Sequence, residues 1–182
     1  ANAPHMPVHL GSMGASVRAV RDRHPILKPG DGFALNNPYA GGTHLPDITV
    51  VMPVFLSPED TQATFYVAAR GHHADVGGIQ PGSMPPFSKS IDEEGVMLDA
   101  LPIMRAGQFL EAETRAALGA GRWPARAPDR NIADLKAQIA ACLAGAGAVR
   151  AMIEAYGGAK VARYMGFVQD NAADCVRKAI GK

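Results

Sequence analysis

The distribution of proline constrains the fold of this chain more than any other feature of its sequence. All fourteen prolines lie at or before Pro128, whereas the residues from Asp129 onward contain none and include fourteen alanines. Proline costs about 3 kcal/mol in a helix interior, and alanine is the best helix former. We therefore expect a mixed segment over residues 1–128 and a helical segment over residues 129–182.

The helical segment carries apolar side chains at helical spacing in three stretches, 132–142, 149–156 and 161–176. An N-cap is predicted at Asn131, with Asp134 as the acidic residue that completes the cap. Together these patterns predict a three-helix tail. Its methionine and tyrosine side chains are expected to pack as core.

The composition excludes several kinds of partner. The 182 residues include 18 Lys+Arg and 17 Asp+Glu, a formal net charge of +1, so no nucleic acid partner is expected. No unbroken apolar run approaches the roughly 18 residues that span a bilayer, and the N-terminus does not resemble a signal peptide. No membrane partner and a cytoplasmic location are therefore expected. Cys142 and Cys175 are predicted to be buried thiols, not a disulfide.

The first 128 residues have a different pattern. A helix is predicted over 12–24, and strands are predicted over 32–36, 47–55 and 63–70. Glycine and proline exclude regular structure over 77–86. The predicted fold class is α+β, with a sheet of short strands and long Gly/Pro-rich loops in the N-terminal two thirds and a helical C-terminal tail.

The pairing of two predicted strands follows from their alternation. Apolar residues occupy the even positions of 47–55 and the odd positions of 63–70. A hairpin that buries both sets on one face must pair residues whose numbers sum to an odd value. A turn within 56–62 then places Asp47 opposite His72, where both side chains can reach one ion.

Metal-ligand residue types surround this pair. His44 precedes Asp47 by three residues, and His72 precedes Asp75 by three. Imidazole and carboxylate groups together suit a divalent ion such as Zn, Mn or Fe. We therefore predict that His44, Asp47 and His72 are metal ligands, with a vacant position for water or a substrate oxygen.

Several alternatives remain open at this level. A single His-x-x-Asp pair is weak evidence, because aspartate often caps turns and histidine often satisfies buried hydrogen bonds. The alternation of the strand places His73 on the apolar face of the sheet, as a core or supporting histidine. A β-bulge would instead put His73 on the ligand face and His72 on the apolar face. Asp75 is either a fourth ligand or the partner that orients a ligating imidazole. His5 and His9 either line the site or pack with the nearby prolines.

Other catalytic motifs do not occur in the sequence. It has neither Gly-x-x-x-x-Gly-Lys-Ser/Thr nor Gly-x-Gly-x-x-Gly, so a P-loop for ATP is not expected in this chain. It also has no Gly-x-Ser-x-Gly elbow and no Cys/His pairing, which disfavours a nucleophilic triad.

Six motifs occur in an order that characterises one protein family. They are Ala3-Pro-His-Met-Pro-Val-His-Leu-Gly11, Pro29-Gly-Asp31, Asn36-Asn-Pro-Tyr-Ala-Gly-Gly-Thr-His-Leu-Pro-Asp47, Arg70-Gly-His-His-Ala-Asp-Val-Gly-Gly-Ile-Gln-Pro-Gly-Ser-Met-Pro-Pro86, Glu93-Glu-Gly95 and Asn131-Ile-Ala-Asp-Leu-Lys-Ala-Gln138. Together they resemble the hydantoinase B/oxoprolinase family. One position departs from its pattern, since Asn37 stands where the family has the aspartate of Asn-Asp-Pro-Tyr, and this removes a carboxylate.

The resemblance implies a reaction class and a partner. Family members take part in ATP-dependent opening of lactam or hydantoin rings, such as 5-oxoproline and N-methylhydantoin, or in carboxylation of acetone and acetophenone. An A-type subunit with an actin-like ATPase fold activates the substrate, so this chain is expected to work beside such a subunit. The chain is then a hydrolase component that uses ATP through its partner.

The resemblance also implies a site and a mechanism. In the carboxylase relatives a metal is held by a His-x-x-Asp pair and a later histidine, which correspond here to His44, Asp47 and His72. The ion is expected to polarise the activated carbonyl and to lower the pKa of a bound water. Asp75 and His73 are the predicted catalytic residues that move the proton.

Family chains are longer at both ends, so this chain is expected to be a fragment or a shortened homologue. Two alternatives to a lactam hydrolase component are a carboxylase subunit segment and a non-catalytic assembly module. An oligomer is expected, because truncation exposes apolar surface.

Overall fold

The computed structural model of the protein describes residues 6–57 and 59–181. The chain divides into two compact units, of which the first ends at Leu143 and the second begins at Ala144.

The first unit contains a five-stranded sheet with helices before and after it. In chain order the elements of both units are α1 (Pro7–Gly11), α2 (Met13–Arg23), β1 (Gly32–Leu35), β2 (Asp47–Val54), β3 (Phe65–His72), a 3-10 turn (Ile91–Glu93), β4 (Leu101–Arg105), β5 (Gln108–Phe109), α3 (Glu111–Leu118), α4 (Pro128–Tyr156) and α5 (Gly158–Ile180). The strand order is β3-β2-β1-β4-β5, and every neighbouring pair is antiparallel. The predicted α+β class, with short strands first and a helical tail after them, is confirmed.

Strand β2 is buried along its whole length because both faces of the sheet are covered. The even-numbered side chains Ile48, Val50 and Met52 belong to one core cluster, together with Leu135 and Ile139 of α4. This confirms the predicted apolar face of the strand.

The opposite face of the sheet forms a second cluster. Val51 of β2 packs there with Phe33 of β1 and Val20 of α2. Consecutive side chains of β2 and β3 therefore lie on opposite faces of the sheet. Side chains of one parity meet α4, and those of the other parity meet α2.

Helix α4 differs from its prediction. It begins at Pro128, where a first-turn proline is tolerated, and it continues to Tyr156 through the stretch where a break between two helices was predicted. Gly145 and Gly147 lie in that stretch among alanines. A helical glycine costs only about 1 kcal/mol relative to alanine, so they do not stop the helix. In the described part of the tail, two helices therefore stand where three were predicted.

By length and composition, α4 is also apolar enough to cross a membrane, with a mean hydropathy of 1.3 over 18 residues. The apolar residues of α4 do not form one unbroken run, because Asp134, Lys136 and Gln138 interrupt them. Alanine supplies much of the apolar content. A core helix meets the same criterion, and the α4 side chains of Leu135, Ile139 and Cys142 do pack into the sheet cluster.

The second unit, considered by itself, exposes much of its apolar surface. Tyr164 is 62% exposed and Val168 69% exposed, and with Met152 and Met165 they line a groove of about 640 Å³. The prediction that this stripe packs as core is wrong for the described residues, among which Val161 is the buried side chain of α5.

The two cysteines also differ in their surroundings. Cys142 is buried as predicted, and burial raises the pKa of its thiol to about 12. Cys175 is exposed, so its predicted burial is wrong.

The packing of α4 on the sheet yields a stability prediction. Replacing the fully buried Leu135 by alanine is expected to lower the free energy of unfolding by about 2–5 kcal/mol, since it leaves a cavity in the core. The Leu143→Ala change on the same helix, where the side chain is 54% exposed, is expected to cost about 0.5 kcal/mol or less. Urea unfolding followed by the fluorescence of Trp123, the single tryptophan, measures both. Equal losses in the two variants would contradict this packing.

Candidate metal centre

The candidate site lies where β2 begins and β3 ends. Asp47 is the first residue of β2 and pairs with His72, the last residue of β3. This confirms the register predicted from strand alternation. The side chains of these two residues share the sheet face that α2 covers, because Val51 has the same parity as Asp47 and packs in the α2 cluster.

The carboxylate of Asp47 is the centre of the site. The residue is 5% exposed, yet each of its oxygens meets an imidazole. Oδ2 lies 2.8 Å from Nδ1 of His44, and Oδ1 lies 3.0 Å from Nδ1 of His72. The two histidine side chains are 48% and 56% exposed, so the carboxylate is covered while the rings face outward.

His44 is held by a loop with internal anchors. Asn36 is fully buried, and its amide donates to the carbonyls of Leu45 and Val96 while its Oδ1 accepts the N–H of Leu98. Gly41 has a φ of +88°, and a Cβ there would lie 2.7 Å from the carbonyl oxygen of Ala15. The loop therefore requires glycine at this position.

Asn37, the departure from the family pattern, keeps a local role. Its Oδ1 accepts the backbone N–H of Tyr39 at 2.9 Å, which is a contact that a carboxylate oxygen makes equally well.

His9 joins the cluster from α1. Ligand atoms of His9, His44 and Asp47 all lie within 4.8 Å of one another. The rings of His9 and His44 are edge to face, with centroids 5.9 Å apart. His5, the other histidine considered for this region, lies outside the described residues.

The donor set fits a divalent metal ion. The ligand atoms of His9, His44 and Asp47 lie within 4.8 Å of one another and could hold one ion, whereas His72 is hydrogen-bonded to the other oxygen of Asp47 and stands outside that group. Imidazole nitrogen with one carboxylate is a ligand chemistry of Zn, Mn and Fe. The buried carboxylate supplies negative charge, and the exposed rings leave an approach for a substrate.

Arg70 supports the site from the same face of the sheet. It pairs with Thr49 in the register, two residues before His72, and its Nε donates to Thr49 Oγ1 at 2.7 Å. Burial lowers the pKa of its guanidinium, and the nearby charge of Asp47 raises it. The favourable field of the guanidinium partly offsets the cost of burying the Asp47 carboxylate.

His73 faces the opposite layer, as strand parity predicted. It is 1% exposed, and its Nε2 donates to Oε1 of Gln138 while its Nδ1 accepts the amide of Asn131, each at 3.0 Å. Burial lowers the pKa of the ring, so His73 is neutral and both its nitrogens are occupied. This placement favours a structural role over the catalytic role predicted from sequence.

Asp75 is likewise occupied by contacts within the protein. Its carboxylate accepts the backbone N–H groups of Gly77, Gly82 and Arg126, and also the guanidinium of Arg126 at 2.7 Å. Burial alone would raise the pKa of Asp75, but these hydrogen bonds outweigh it and lower the pKa below its ordinary value. An ionised carboxylate with this many partners is poorly suited to move protons near neutral pH, so this placement also favours a structural role.

Two supporting residues belong to α4. Gln138 donates to the carbonyls of Ile48 and Ala69, and thereby ties α4 to both strands of the hairpin. Asn131 binds the His73 ring and the carbonyl of Asp75, so the N-cap predicted for it is wrong because the helix starts three residues earlier.

The structure thus brings His44 and His72 each to Asp47 and places His9 beside His44 and Asp47. His73 and Asp75 are bonded to other partners. Arg70 was not predicted, although one signal was available. It has the same parity as His72, and a charged side chain there must find partners on the α2 layer.

Comparison with known proteins places these motifs in one family. A family model described as hydantoinase B/oxoprolinase matches residues 1–182. 5-oxoprolinase 1 of Arabidopsis thaliana is 45% identical in an alignment that covers 99% of this chain and 15% of that protein. The chain therefore spans only a small part of the length of the curated relatives it matches.

Solved structures share the fold. The ATP-dependent caprolactamase of Pseudomonas jessenii superposes with a TM-score of 0.77 and 26% identity, over 94% of this chain and 28% of that chain. The nucleotide-free structure of an acetone carboxylase superposes with a TM-score of 0.68 and 20% identity, over 82% of this chain and 19% of that chain.

The bonding of Asp75 yields a pH prediction. Its folded-state pKa lies below the ordinary 3.8, so its contribution to stability is present above pH 3.8 and is lost as the pH falls through the lower folded value. Asp75→Asn is expected to cost about 1–3 kcal/mol at pH 7, because an amide donor replaces an acceptor that faces N–H groups.

In urea titrations at each pH, the difference in unfolding free energy between the Asp75→Asn variant and the unaltered chain should stay constant from pH 7 to about 5 and shrink as the pH falls below about 4. Asp92→Asn, at an exposed position of the 3-10 turn, is the matched control and should change stability by about 0.5 kcal/mol or less. A difference that is constant with pH would contradict the role given to Asp75.

Proposed function

The chain belongs to the hydantoinase B/oxoprolinase family, and from that premise we propose that it is the metal-binding part of an enzyme that opens an ATP-activated lactam or hydantoin ring by hydrolysis. The substrate class is that of 5-oxoproline and N-methylhydantoin. Because the chain spans 15% of the length of 5-oxoprolinase 1, the activity belongs to a larger protein or assembly.

The observation that carries this proposal is the carboxylate of Asp47 between two imidazoles. A buried aspartate could be neutralised by one partner, but here His44 and His72 meet different oxygens and both rings are half exposed. Since Nδ1 of each ring faces Asp47, the outer part of each ring is open to an ion or a small substrate. The arrangement supports a centre that binds an ion and a small substrate.

The three residues have distinct roles in the proposed centre. His44 and His72 offer neutral ring nitrogens to the ion, and Asp47 offers its negative charge. A divalent ion bound there would polarise a carbonyl oxygen and lower the pKa of a bound water. Asn36 and Gly41 hold the loop of His44 in place, and the hairpin register holds Asp47 against His72, so the donors are arranged before the ion arrives.

His73 and Asp75 act as supports in this proposal. The His73 ring links the end of β3 to Gln138 and Asn131 of α4. Asp75 organises the loop that follows β3 through its bonds to Gly77, Gly82 and Arg126. Both side chains hold the segment that follows His72.

ATP use is assigned to a partner. The family resemblance supports an A-type ATPase subunit or domain that activates the ring carbonyl before it meets this centre. The half-exposed rings of His44 and His72 suit a substrate that arrives from another surface. A multisubunit assembly in the cytoplasm is part of the same proposal.

Metal content and ring opening test the proposal together. The chain is expected to retain about one divalent ion, and His44→Ala and His72→Ala are each expected to lower ion affinity and activity by roughly 10- to 100-fold or more. Metal analysis of the purified chain gives the first quantity. ATP-dependent hydrolysis of 5-oxoproline, assayed with the same substitutions in the full-length protein and with the A-type partner present, gives the second.

His24→Gln is the matched control, because His24 binds the carbonyl of Ala100 and stacks on Phe33, away from the donor set. It should retain the ion and the activity. Full ion occupancy and full activity in both His44→Ala and His72→Ala would overturn the proposal. Acetone with bicarbonate in the same assay tests the carboxylase alternative.

A further inference from the structure

We propose that His9 supplies a further ligand to the divalent ion at His44 and Asp47, and that Arg70 is the positioning residue that keeps His9 in reach. This inference rests on the metal centre proposed above and deepens it. It concerns two residues that neither the hairpin register nor the His-x-x-Asp spacing identifies.

The geometry of His9 is that of a ligand. Its ligand atom lies within 4.8 Å of those of His44 and Asp47, a distance that a shared ion can span with small side-chain rotations. The three donors come from separate elements, namely α1, the loop between β1 and β2, and the first residue of β2. His44 and Asp47 are close in sequence, but His9 reaches them from a segment more than 30 residues earlier, so its approach is not a product of local spacing.

The second ring nitrogen of His9 also has a suitable partner. Nδ1 lies 3.4 Å from Oγ1 of Thr43, the residue before His44. A ligating histidine normally uses one nitrogen for the ion and the other for a protein group that fixes the ring. The hydroxyl of Thr43 can accept a hydrogen bond from the N–H of Nδ1, which leaves Nε2 for the ion.

Arg70 connects the segments that carry the donors. Its Nη1 donates to the backbone carbonyl of His9 at 3.0 Å and to the hydroxyl of Ser12. Its Nη2 donates to Ser16 Oγ at 2.9 Å and to the carbonyl of Gly41 at 3.4 Å, three residues before His44. One guanidinium on β3 thus ties both α1 and the loop of His44 to the sheet.

This task suits arginine in particular. The guanidinium presents five N–H donors in a planar fork, and here they serve acceptors in several directions. A lysine at the same place keeps the charge, but its three N–H donors share one nitrogen, whereas His9 and Gly41 are bound here by Nη1 and Nη2 separately. The Arg70→Lys change therefore separates the role of the fork from the role of the charge.

Cobalt binding to the 182-residue chain tests the role of His9. Co²⁺ is the probe because its visible absorption reports the ligand set, and its affinity is measured by competition with a chelating dye. His9→Ala is expected to weaken Co²⁺ binding at least about tenfold and to change the absorption spectrum at saturating cobalt. Val8→Ala, on the neighbouring 52% exposed residue of α1, is the matched control and should change neither.

The role of Arg70 is tested by the same readouts. Arg70→Lys is expected to weaken Co²⁺ binding and to give a spectrum at saturation that shifts towards that of His9→Ala, an effect that general destabilisation does not produce. The double variant should lose less affinity than the two single losses multiplied together, because Arg70 acts partly through His9.

The outcomes separate this inference from the proposed function. If the unaltered chain does not bind Co²⁺, or if His44→Ala leaves its binding unchanged, the metal centre itself is refuted. If His44→Ala abolishes binding while His9→Ala keeps the affinity and spectrum of the unaltered chain, only the role of His9 is refuted. Independent losses in the double variant refute the role of Arg70. Circular dichroism checks folding, and His9→Gln, which keeps the size and polarity of the side chain, replaces His9→Ala if that variant unfolds.

Discussion

The structure of the first unit depends on the burial of one negative charge at the start of a central strand. An ionised carboxylate withdrawn from water costs several kcal/mol unless it is paired and hydrogen-bonded. Asp47 meets that condition with an imidazole at each oxygen and with the nearby charge of Arg70. These partners come from a loop and from the far strand of a hairpin. The turn conformation at Gly41 and the strand register are both required to bring them to the carboxylate.

The candidate metal ligands and the side chains that support them lie on opposite faces of the sheet. His72 and His73 are consecutive, but His72 contacts Asp47 on the α2 side, whereas His73 binds Gln138 and Asn131 on the α4 side. The polar trio of His73, Gln138 and Asn131 fastens the long helix to the hairpin through side chains. The donors on the opposite face are therefore backed by a layer with its own hydrogen bonds. The residues that would bind an ion need not also hold the helix.

The structural features that can be predicted from the sequence are those that depend on the alternation of residues within neighbouring strands. The alternation of β2 and β3 was enough to place Asp47 against His72 and to send His73 to the other face, because a strand has a period of two and its hairpin connection is short. The approach of His9 depends on contacts between segments far apart in the chain, which no local pattern encodes. The same holds for the bonds of Asp75 to Arg126, which changed the role expected of that carboxylate. The sequence predicts two helices where α4 is continuous, because the apolar side chains fall into two separate stretches. Gly145 and Gly147, which lie between those stretches, are tolerated in a helix of good formers.

The local character of the hairpin has a consequence for the order in which the chain assembles. Pairings close in sequence form quickly, and a hairpin closes in about 1–10 μs. The contacts of Gln138 with Ile48 and Ala69 span far longer stretches of chain. During synthesis at about 5–20 residues per second, Gln138 is added roughly 3–13 s after His72. On the ribosome, Asp47 and His72 therefore have several seconds to meet before the helix that fastens their hairpin exists.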